Sequence, residues 1–308
     1  MNPLRGIALK VLSVIVFMAM VTCIKITSEH VPAGEIVFFR SLFALPVIMV
    51  WLWYAHHLHD GLKTANPLGH LWRGLVGCGA MAFSFTALGL LPLPEVTAIG
   101  YAAPLLVTVL AAMFLGETIR VYRLAAIFLG LAGVLIVLAP RMSIESLDGA
   151  SKLETIGAMA ALISAVFAAL AQVFVRKLVQ VEKTAAIVFW FSVTCTVLSL
   201  ITIPFGWVWP TPAETGLLIG AGLLGGLGQI LLTESYRHAE TAVIAPFEYA
   251  SMLLALGVGW FVFSEVPTVP MLIGAMLVVT AGLVILFRER QLGLERGRAR
   301  QAMTPRGY

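Results

Sequence analysis

The carboxylate of Glu248 falls inside an apolar run, from Thr241 to Phe263, that is long enough to cross a membrane. An ionisable group at lipid depth is costly and is by default a candidate for function. At a rise of 1.5 Å per residue Glu248 lies about 10 Å into the run, too deep for so short a side chain to reach the headgroups. It could neutralise a bound ammonium group or carry a proton. The alternative is a helix-packing carboxyl bonded to Gln229, Tyr249 or the backbone.

Other polar side chains in apolar runs are candidates to line a cavity. Tyr101 and Tyr249 offer an aromatic face with a hydroxyl, suited to binding a zwitterion or closing a pathway, although both could be interface anchors. Gln172 and Gln229 must face protein or water, because lipid leaves an amide unsatisfied. The hydroxyl groups are weaker candidates, since Ser and Thr can bond their own helix backbone. These are Ser84, Thr86, Thr97 and Ser251.

Two features are candidates for a hinge or for close packing. Gly225 and Gly226 belong to the glycine-rich run GLLIGAGLLGGLG, from Gly216 to Gly228. Close helix packing is the favoured interpretation, and a helix that bends or slides is the alternative. Pro104 predicts a kink, because proline cannot continue the helical hydrogen bonds.

The composition requires a membrane protein. The chain has 308 residues, of which 60% are hydrophobic and 12% charged, with a mean hydropathy of +0.96. A soluble domain carries about twice that share of charge. No G-x-x-x-x-G-K-[ST] phosphate loop is present, so ATP hydrolysis within this chain is excluded.

The sequence predicts no metal, cofactor or nucleic-acid partner. Cys23, Cys78 and Cys195 lie in apolar runs and are odd in number, which indicates buried hydrophobic residues rather than a disulfide framework or metal site. Histidine clusters can bind metal, but a solvated loop is the favoured interpretation of the cluster here. It consists of His56, His57, His59 and His70. The net charge of +4 indicates topology rather than nucleic-acid binding.

Ten apolar runs have the length that a membrane span requires, about 20 residues. In the first half they are Gly6 to Ile26, Glu35 to Tyr54, Leu71 to Leu91, Val96 to Leu115 and Arg123 to Ala139. In the second half they are Thr155 to Val175, Thr184 to Ile203, Gly216 to Tyr236, Thr241 to Phe263 and Thr268 to Phe287.

The basic residues predict the orientation. With the amino terminus inside, 16 of the 20 Lys and Arg residues fall on the cytoplasmic side, so the positive-inside rule puts both termini in the cytoplasm. We expect the side chain of Arg40, near the outer end of its span, to snorkel outward. The tail from Arg288, with six arginines, is predicted to contact anionic lipids of the inner leaflet.

The chain repeats itself. The segment from Val96 to Glu117 aligns without a gap on the segment from Ile244 to Glu265, which pairs Tyr101 with Tyr249 at an offset of 148 residues. Each half holds five spans, an odd number, so the second copy must enter the membrane from the opposite side. Inverted repeats place a central site between the halves and are typical of secondary transporters that work by alternating access.

The predicted organisation has four parts. Residues 1–140 form the first five-helix repeat, 141–154 a periplasmic linker, 155–287 the second, inverted repeat, and 288–308 a basic cytoplasmic tail.

Several motifs resemble those of the EamA-type drug/metabolite transporters. They are FFRSLFA in the second span, Pro104 in an Ala-rich fourth span, FLGE at residues 114–117 and LAGVLIVL at the end of the first half. The resemblance implies an all-α membrane protein with a central cavity lined by the first, third, fourth, sixth, eighth and ninth spans. Within the superfamily the chain is most similar to the YddG-type amino-acid exporters of bacterial inner membranes. Met252 stands where the first half has Pro104, so the kink lacks a strict counterpart.

These observations predict a secondary transporter that exports small metabolites, with amino acids, including aromatic ones, as the expected cargo. It would run down a gradient, alone or coupled to protons. A multidrug or organic-cation exporter of the same fold remains an alternative. An integral-membrane enzyme is disfavoured, because the sequence has no H-E-x-x-H, no G-x-S-x-G and no histidine deep in a span.

Overall fold

The computed structural model describes residues 3–54, 62–115, 121–141, 149–178, 181–238 and 245–303, and its regular elements over these ranges are all helical. The first half contains α1 (Pro3–Thr27), α2 (Ala33–Leu42), α3 (Ala44–Tyr54), α4 (Pro67–Leu90), α5 (Leu93–Gly100), α6 (Ala102–Leu115) and α7 (Val121–Leu138). The second half contains α8 (Gly149–Leu178), α9 (Thr184–Ser199), α10 (Pro212–His238), α11 (Ala250–Phe263) and α12 (Val269–Met303). Short 3-10 turns cover Ala139–Arg141, Leu200–Phe205 and Ala245–Tyr249.

Within the described ranges, nine helical segments are long and apolar enough to cross a membrane. Two of them combine neighbouring helices: Ala33–Tyr54 joins α2 to α3, and Leu93–Leu110 joins α5 to α6. The predicted ninth span corresponds to the shorter apolar segment Phe247–Phe263, and residues 241–244 of that prediction lie outside the described residues. The count of ten spans therefore stays a prediction.

The helices pack in antiparallel pairs, α1 with α10, α4 with α8 and α7 with α12. Lipid tails are as apolar as leucine, so close approach at small residues has to hold such helices together. At the crossing of α7 and α12, a Cβ built on Gly133 would lie 2.6 Å from the carbonyl oxygen of Gly274. The backbones meet there with no room for a side chain.

The paired glycines of α10 lie at a similar contact. A Cβ on Gly226 would lie 2.9 Å from Cβ of Val47 and 3.1 Å from the carbonyl oxygen of Ala44. A Cβ on Gly225 would lie 3.1 Å from both Nε of Arg40 and Sδ of Met20. At these two positions α10 packs directly on α1, α2 and α3.

One end of the bundle, called here the Lys25 end, is closed by a charged cluster. The Nζ of Lys25 lies 2.8 Å from Oε1 of Glu265 and donates to the carbonyl of Leu91 at 2.8 Å. The other carboxylate oxygen of Glu265 accepts the backbone N–H of Leu93 at 2.8 Å. The cluster thus joins the carboxyl end of α1, the α4–α5 connection and the residues that follow α11.

The opposite end, called here the Glu182 end, is organised by one carboxylate between α8 and α9. Oε1 of Glu182 accepts hydrogen bonds from the hydroxyl of Thr64 at 2.8 Å and from the amides of Ala65 and Asn66 at 2.7 and 2.8 Å. Desolvation opposes ionisation of Glu182, but these hydrogen bonds outweigh it and lower the pKa of its carboxyl below the ordinary value. The loop before α4 is thereby tied to the second half.

Both chain termini extend from the Glu182 end, because α1 reaches the Lys25 end at its last turn and α12 leaves that end at its first. Which side of the membrane this end faces stays a prediction. Helix α12 continues to Met303, so the basic tail predicted from Arg288 begins as an extension of the last helix. Residues 142–148 of the predicted linker and residues 304–308 of the tail lie outside the described residues.

Candidate functional site

The site is built around two interruptions in the helices, one in each half. Helix α5 ends at Gly100 and α6 begins at Ala102, with Pro104 in its first turn. Because Pro104 has no N–H, the carbonyl of Gly100 cannot receive the usual helical hydrogen bond. At the last turn of α5 the amide N–H of Tyr101 is shared between the carbonyls of Thr97 and Ala98, both at 3.3 Å.

The second half is interrupted at the equivalent place although it has Met252 instead of a proline. There the 3-10 turn Ala245–Tyr249 leads directly into α11. Tyr101 and Tyr249 therefore both stand at a helix start, and their rings meet edge to face with centroids 5.1 Å apart.

A cavity of about 620 Å³ opens beside these tyrosines. Six of the residues singled out in the sequence line it, namely Thr97, Tyr101, Pro104, Gln172, Glu248 and Tyr249. Arg123 of α7 and Leu286 of α12 also line it. The family resemblance places the fifth and tenth spans away from the cavity, and these two contacts correct that expectation. Helix α12 can approach Tyr249 closely because Gly282 has no side chain, and the hydroxyl of Tyr249 occupies the space that a side chain would fill.

A second cavity, of about 320 Å³, lies on the other side of Glu248. It is lined by α1, including Lys10, Phe17 and Met20, and by Ser251 of α11. Thr97 and Glu248 line both cavities. Glu248 therefore stands where the two spaces adjoin, and Ser251 belongs to the second space.

The central contact is an ion pair between the two halves. Nζ of Lys10 in α1 lies 2.8 Å from Oε2 of Glu248. The side chain of Lys10 is 2% exposed, whereas that of Glu248 is 54% exposed and faces the cavities. One partner is thus fixed inside the protein and the other is open to a ligand.

Lys10 is the main residue that the sequence reasoning missed. It lies only four residues into the first apolar run, so it is one of the 16 basic residues that the positive-inside rule puts on the cytoplasmic side. A lysine stem can snorkel from that depth, so its position along the chain does not indicate that its ammonium lies inside the protein. The signal that could have identified Lys10 is its position inside a span, because a lysine there is a candidate functional residue for the same reason as a glutamate.

The hydroxyl groups around Glu248 are organised by its backbone. Ser251 donates to the carbonyl of Glu248 at 2.7 Å, and the hydroxyl of Tyr101 is hydrogen-bonded to Oγ of Ser251. The side chain of Thr97 donates to the carbonyl of Leu93 at 2.9 Å. These hydroxyl groups bond to backbone carbonyls or to each other rather than to the carboxylate of Glu248. The carboxylate therefore contacts Lys10 and faces the two cavities.

Three predicted residues are not brought to this site. Ser84 on α4 and Gln229 on α10 are half-buried and line neither cavity. Thr86 donates to the carbonyl of Ala82 in its own helix at 2.9 Å.

Among the described residues no group of His, Cys, Asp and Glu has an arrangement that could hold a metal ion. The histidines at 56, 57 and 59 lie outside the described residues. His70 is buried, with Nε2 3.6 Å from Glu182.

The expectation for Arg40 is wrong. Its side chain does not snorkel to the headgroups but is 4% exposed, with Nε directed toward Gly225 of α10. Because Gly225 has no side chain, the guanidinium of Arg40 fits beside α10. The charge of Arg40 therefore lies inside the bundle and not at the headgroups.

Apolar helices of membrane-crossing length, with an ion pair and two cavities between them, are typical of a multi-pass membrane transporter. The EamA-like transporter family, part of the drug/metabolite transporter superfamily, matches this chain twice, over residues 4–139 and 155–287, and the chain belongs to that family.

Relatives along most of the chain are transporters of small metabolites. The pseudopaline exporter CntI of Pseudomonas aeruginosa is 32% identical over 282 residues, which is 90% of this chain and 94% of that protein. The S-adenosylmethionine uptake transporter of Rickettsia felis is 25% identical over 94% of both chains. The riboflavin transporter of Rhizobium johnstonii is 27% identical over 74% of this chain and 73% of that protein.

The fold also has a counterpart among solved structures. One crystal structure covers 93% of this chain and 98% of its own, with a TM-score of 0.64 and 21% sequence identity.

Proposed function

We propose that this protein is a secondary transporter that exports small metabolites bearing both an ammonium and a carboxylate group. Amino acids, including aromatic ones, are the proposed cargo, and the YddG-type resemblance points the same way. The observation that carries the proposal is the Lys10–Glu248 ion pair at the junction of the two cavities.

The pair favours a zwitterion over a simple cation. Displacing Glu248 from Lys10 without supplying another anionic group is unfavourable, because the ammonium of Lys10 is buried. A zwitterion avoids that cost, since its ammonium can take the place of Lys10 at Glu248 while its carboxylate takes the ammonium of Lys10. An organic cation would engage Glu248 but offers no anionic group to the ammonium of Lys10, which argues against the multidrug alternative.

The cavity also suits an aromatic amino acid. Its volume of about 620 Å³ falls in the range of small-molecule sites, roughly 300–1,000 Å³. The edge-to-face pair of Tyr101 and Tyr249 presents an aromatic surface next to Glu248. An aromatic cargo could pack on these rings while its charged groups engage the ion pair.

Alternating access is supported by the difference between the two ends. The Lys25–Glu265 cluster closes the Lys25 end, and the larger cavity extends from Tyr101 to Arg123 and Leu286, toward the Glu182 end. With the predicted topology, this is a cytoplasm-facing state in the bacterial inner membrane. The antiparallel pairs α1 with α10 and α4 with α8 are the equivalent pairs that two inverted repeats require.

Proton coupling is the proposed driving force. When a cargo takes Lys10 away from Glu248, or leaves after export, the free carboxylate is available to bind a proton for the return step. The Glu248→Gln variant separates coupling from binding, because glutamine can still accept hydrogen bonds but cannot exchange a proton.

The test uses the full chain in proteoliposomes, with amino acids, nucleosides, phosphosugars and organic cations as candidate cargo, with and without a pH gradient. We expect amino-acid flux that increases with the gradient. In Glu248→Gln and in Lys10→Met, flux should fall by about tenfold, which corresponds to about 1.4 kcal/mol. Arg288→Met, which removes a charge on the exposed carboxyl-terminal extension of α12, is the matched control and should transport normally.

Two results would overturn the proposal. Transport of organic cations with no amino-acid flux would assign the cargo to the other class. Unchanged flux in Glu248→Gln, both with and without the gradient, would remove Glu248 from the mechanism.

A further inference from the structure

Two arginines lie inside the bundle without a counter-charge. Arg40 of α2 is 4% exposed, and its Nε is buried with no hydrogen-bond partner. The Nε and Nη1 of Arg73 in α4 are likewise buried and unpartnered. In the part of the chain that the structure describes, neither guanidinium forms an ion pair with a carboxylate.

The two side chains converge from opposite ends of the bundle. The guanidinium carbon of Arg73 lies 3.8 Å from the centroid of the Phe191 ring on α9. Helices α2, α4 and α9 pack against one another, and Arg40 and Arg73 lie close enough to act on each other and on Cys195 electrostatically. The arginine pair therefore occupies one region bounded by α2, α4 and α9.

An arginine pair without an anion is a costly arrangement. Arginine stays protonated in proteins, so it cannot escape burial by losing its charge. An unpaired buried ion costs several kcal/mol, and two like charges side by side add their repulsion. The stacking on Phe191 compensates only part of this cost. The unpartnered N–H groups are those that a planar carboxylate or a phosphate accepts best.

A ligand in the second cavity has a short route to this region. Sδ of Met20 and Nε of Arg40 both lie 3.1 Å from the place of a Cβ on Gly225, and Met20 also lines the second cavity. Met20 thus lines the cavity and also lies beside the glycine that Arg40 packs on. Its unbranched side chain has three rotatable bonds and can move aside without displacing a helix.

We propose that Arg40 and Arg73 form an anion site that receives a second carboxylate, or a phosphate, of the transported metabolite. The inference rests on the proposed function, because the ligand is the cargo held at Lys10 and Glu248. It deepens that function by naming a class: zwitterionic metabolites with one additional anionic group. Arg40 is the first contact, behind Met20, and Arg73 neutralises the remaining charge.

The binding experiment uses the purified full chain in detergent, with sodium acetate and inorganic phosphate as probes and chloride as reference at constant ionic strength. A ligand that binds only the folded protein raises the melting temperature by mass action. We expect a saturable rise of several degrees in the native protein and in Arg288→Met, and none in Arg40→Met. Arg40→Lys keeps the charge without the two-pronged geometry and should show a reduced rise.

The transport experiment separates this inference from the proposed function. We expect Arg40→Met to lower the flux of glutamate and aspartate about tenfold relative to that of phenylalanine. Glu248→Gln should lower all three. If Arg40→Met leaves the ratio unchanged while Glu248→Gln abolishes transport, the anion site is wrong and the proposed function stands. If Glu248→Gln has no effect while acetate still stabilises the native protein, the proposed function fails and the anion site stands without its assigned cargo.

Two further results would overturn the anion site. The first is a combination of three observations. The native protein melts at the same temperature in all anions, and the Arg40→Met variant is both more stable than the native protein and normal in transport. The second concerns the thiols. If acetate stabilises only the Cys78→Ser/Cys195→Ser double variant, a thiolate of that pair neutralises the arginines in the native protein.

Discussion

Two lysine–glutamate ion pairs join α1 to α11 and its flanking residues, and they differ in their surroundings. Lys25–Glu265 and Lys10–Glu248 have the same N–O distance, 2.8 Å. In the first pair both side chains are largely buried, at 12% and 15% exposure, and both also bond the backbone. In the second pair Lys10 is 2% exposed but Glu248 is 54% exposed.

The same chemistry therefore serves two purposes. The closed pair has all its groups satisfied by protein and holds one end of the bundle together. The open pair leaves a carboxylate facing two cavities, where a ligand can replace the lysine. Exposure of one partner, rather than the presence of an ion pair, distinguishes the proposed binding site from the structural contact at the Lys25 end.

The largest expected effect is on stability, from breaking the closed pair. Glu265→Gln should destabilise the protein by about 3–5 kcal/mol, because Lys25 keeps its charge in a buried site with backbone carbonyls as partners but no counter-charge. Lys10→Met should cost much less, since the Glu248 carboxylate that loses the lysine is 54% exposed and faces the cavities. Melting temperatures in detergent test the order of the two. Equal losses in both variants would show that the two pairs are energetically alike.

The next effect is on transport, from exchanging the charges of the open pair. Lys10→Glu/Glu248→Lys preserves the attraction, so it should recover most of the stability lost in Lys10→Met. We expect transport to stay reduced about tenfold, because the buried and exposed positions now carry the wrong charges. Transport at the native rate would mean that the pair only holds the helices together.

A third effect is on accessibility. In a chain with Cys23, Cys78 and Cys195 replaced by serine, Ser251→Cys lines a cavity, whereas Leu91→Cys is buried at the Lys25 end. A water-soluble maleimide should label Ser251→Cys much faster. Addition of Glu265→Gln should speed labelling of Leu91→Cys and leave that of Ser251→Cys nearly unchanged. Slow labelling at both positions would contradict an open site.

The smallest effect concerns the carboxylate at the other end. The pKa of Glu182 is lowered, so its hydrogen bonds to the loop are fully present above the ordinary glutamate pKa of about 4.3. They are lost as the pH falls through the lowered value. Melting temperature should therefore decrease at acidic pH in the native protein and do so less in Glu182→Gln. An identical acid dependence in both proteins would assign it to other groups.

Much of the architecture follows from the sequence, because apolar length alone determines where a helix can cross. The first predicted span, Gly6 to Ile26, lies within the observed Pro3–Thr27. The depth of Glu248 and the repeat that pairs Tyr101 with Tyr249 identified residues that the structure places along one cavity. Both signals depend on position along the chain, which a sequence records directly.

The direction of long side chains is not recorded in this way. Lys10 and Arg40 both have stems long enough to reach either the headgroups or the interior, and the deciding factor is the helix that packs opposite. Gly225 creates the space for Arg40, yet the sequence does not say that α10 faces α2. The interruption before α11 cannot be predicted from the sequence either, because Met252 stands where the first half has a proline and methionine does not break a helix.

Both ion pairs belong to one continuous helix, α1, which has no proline after its first residue. Lys10 and Lys25 are 15 residues apart, about 22 Å along a rigid rod. A tilt of about 10° around one lysine would displace the other by about 4 Å, more than the length of either salt bridge. A cargo that pulls Lys10 from its partner would therefore strain the contact at the far end of the same rod, with no intermediate residue needed to transmit the displacement.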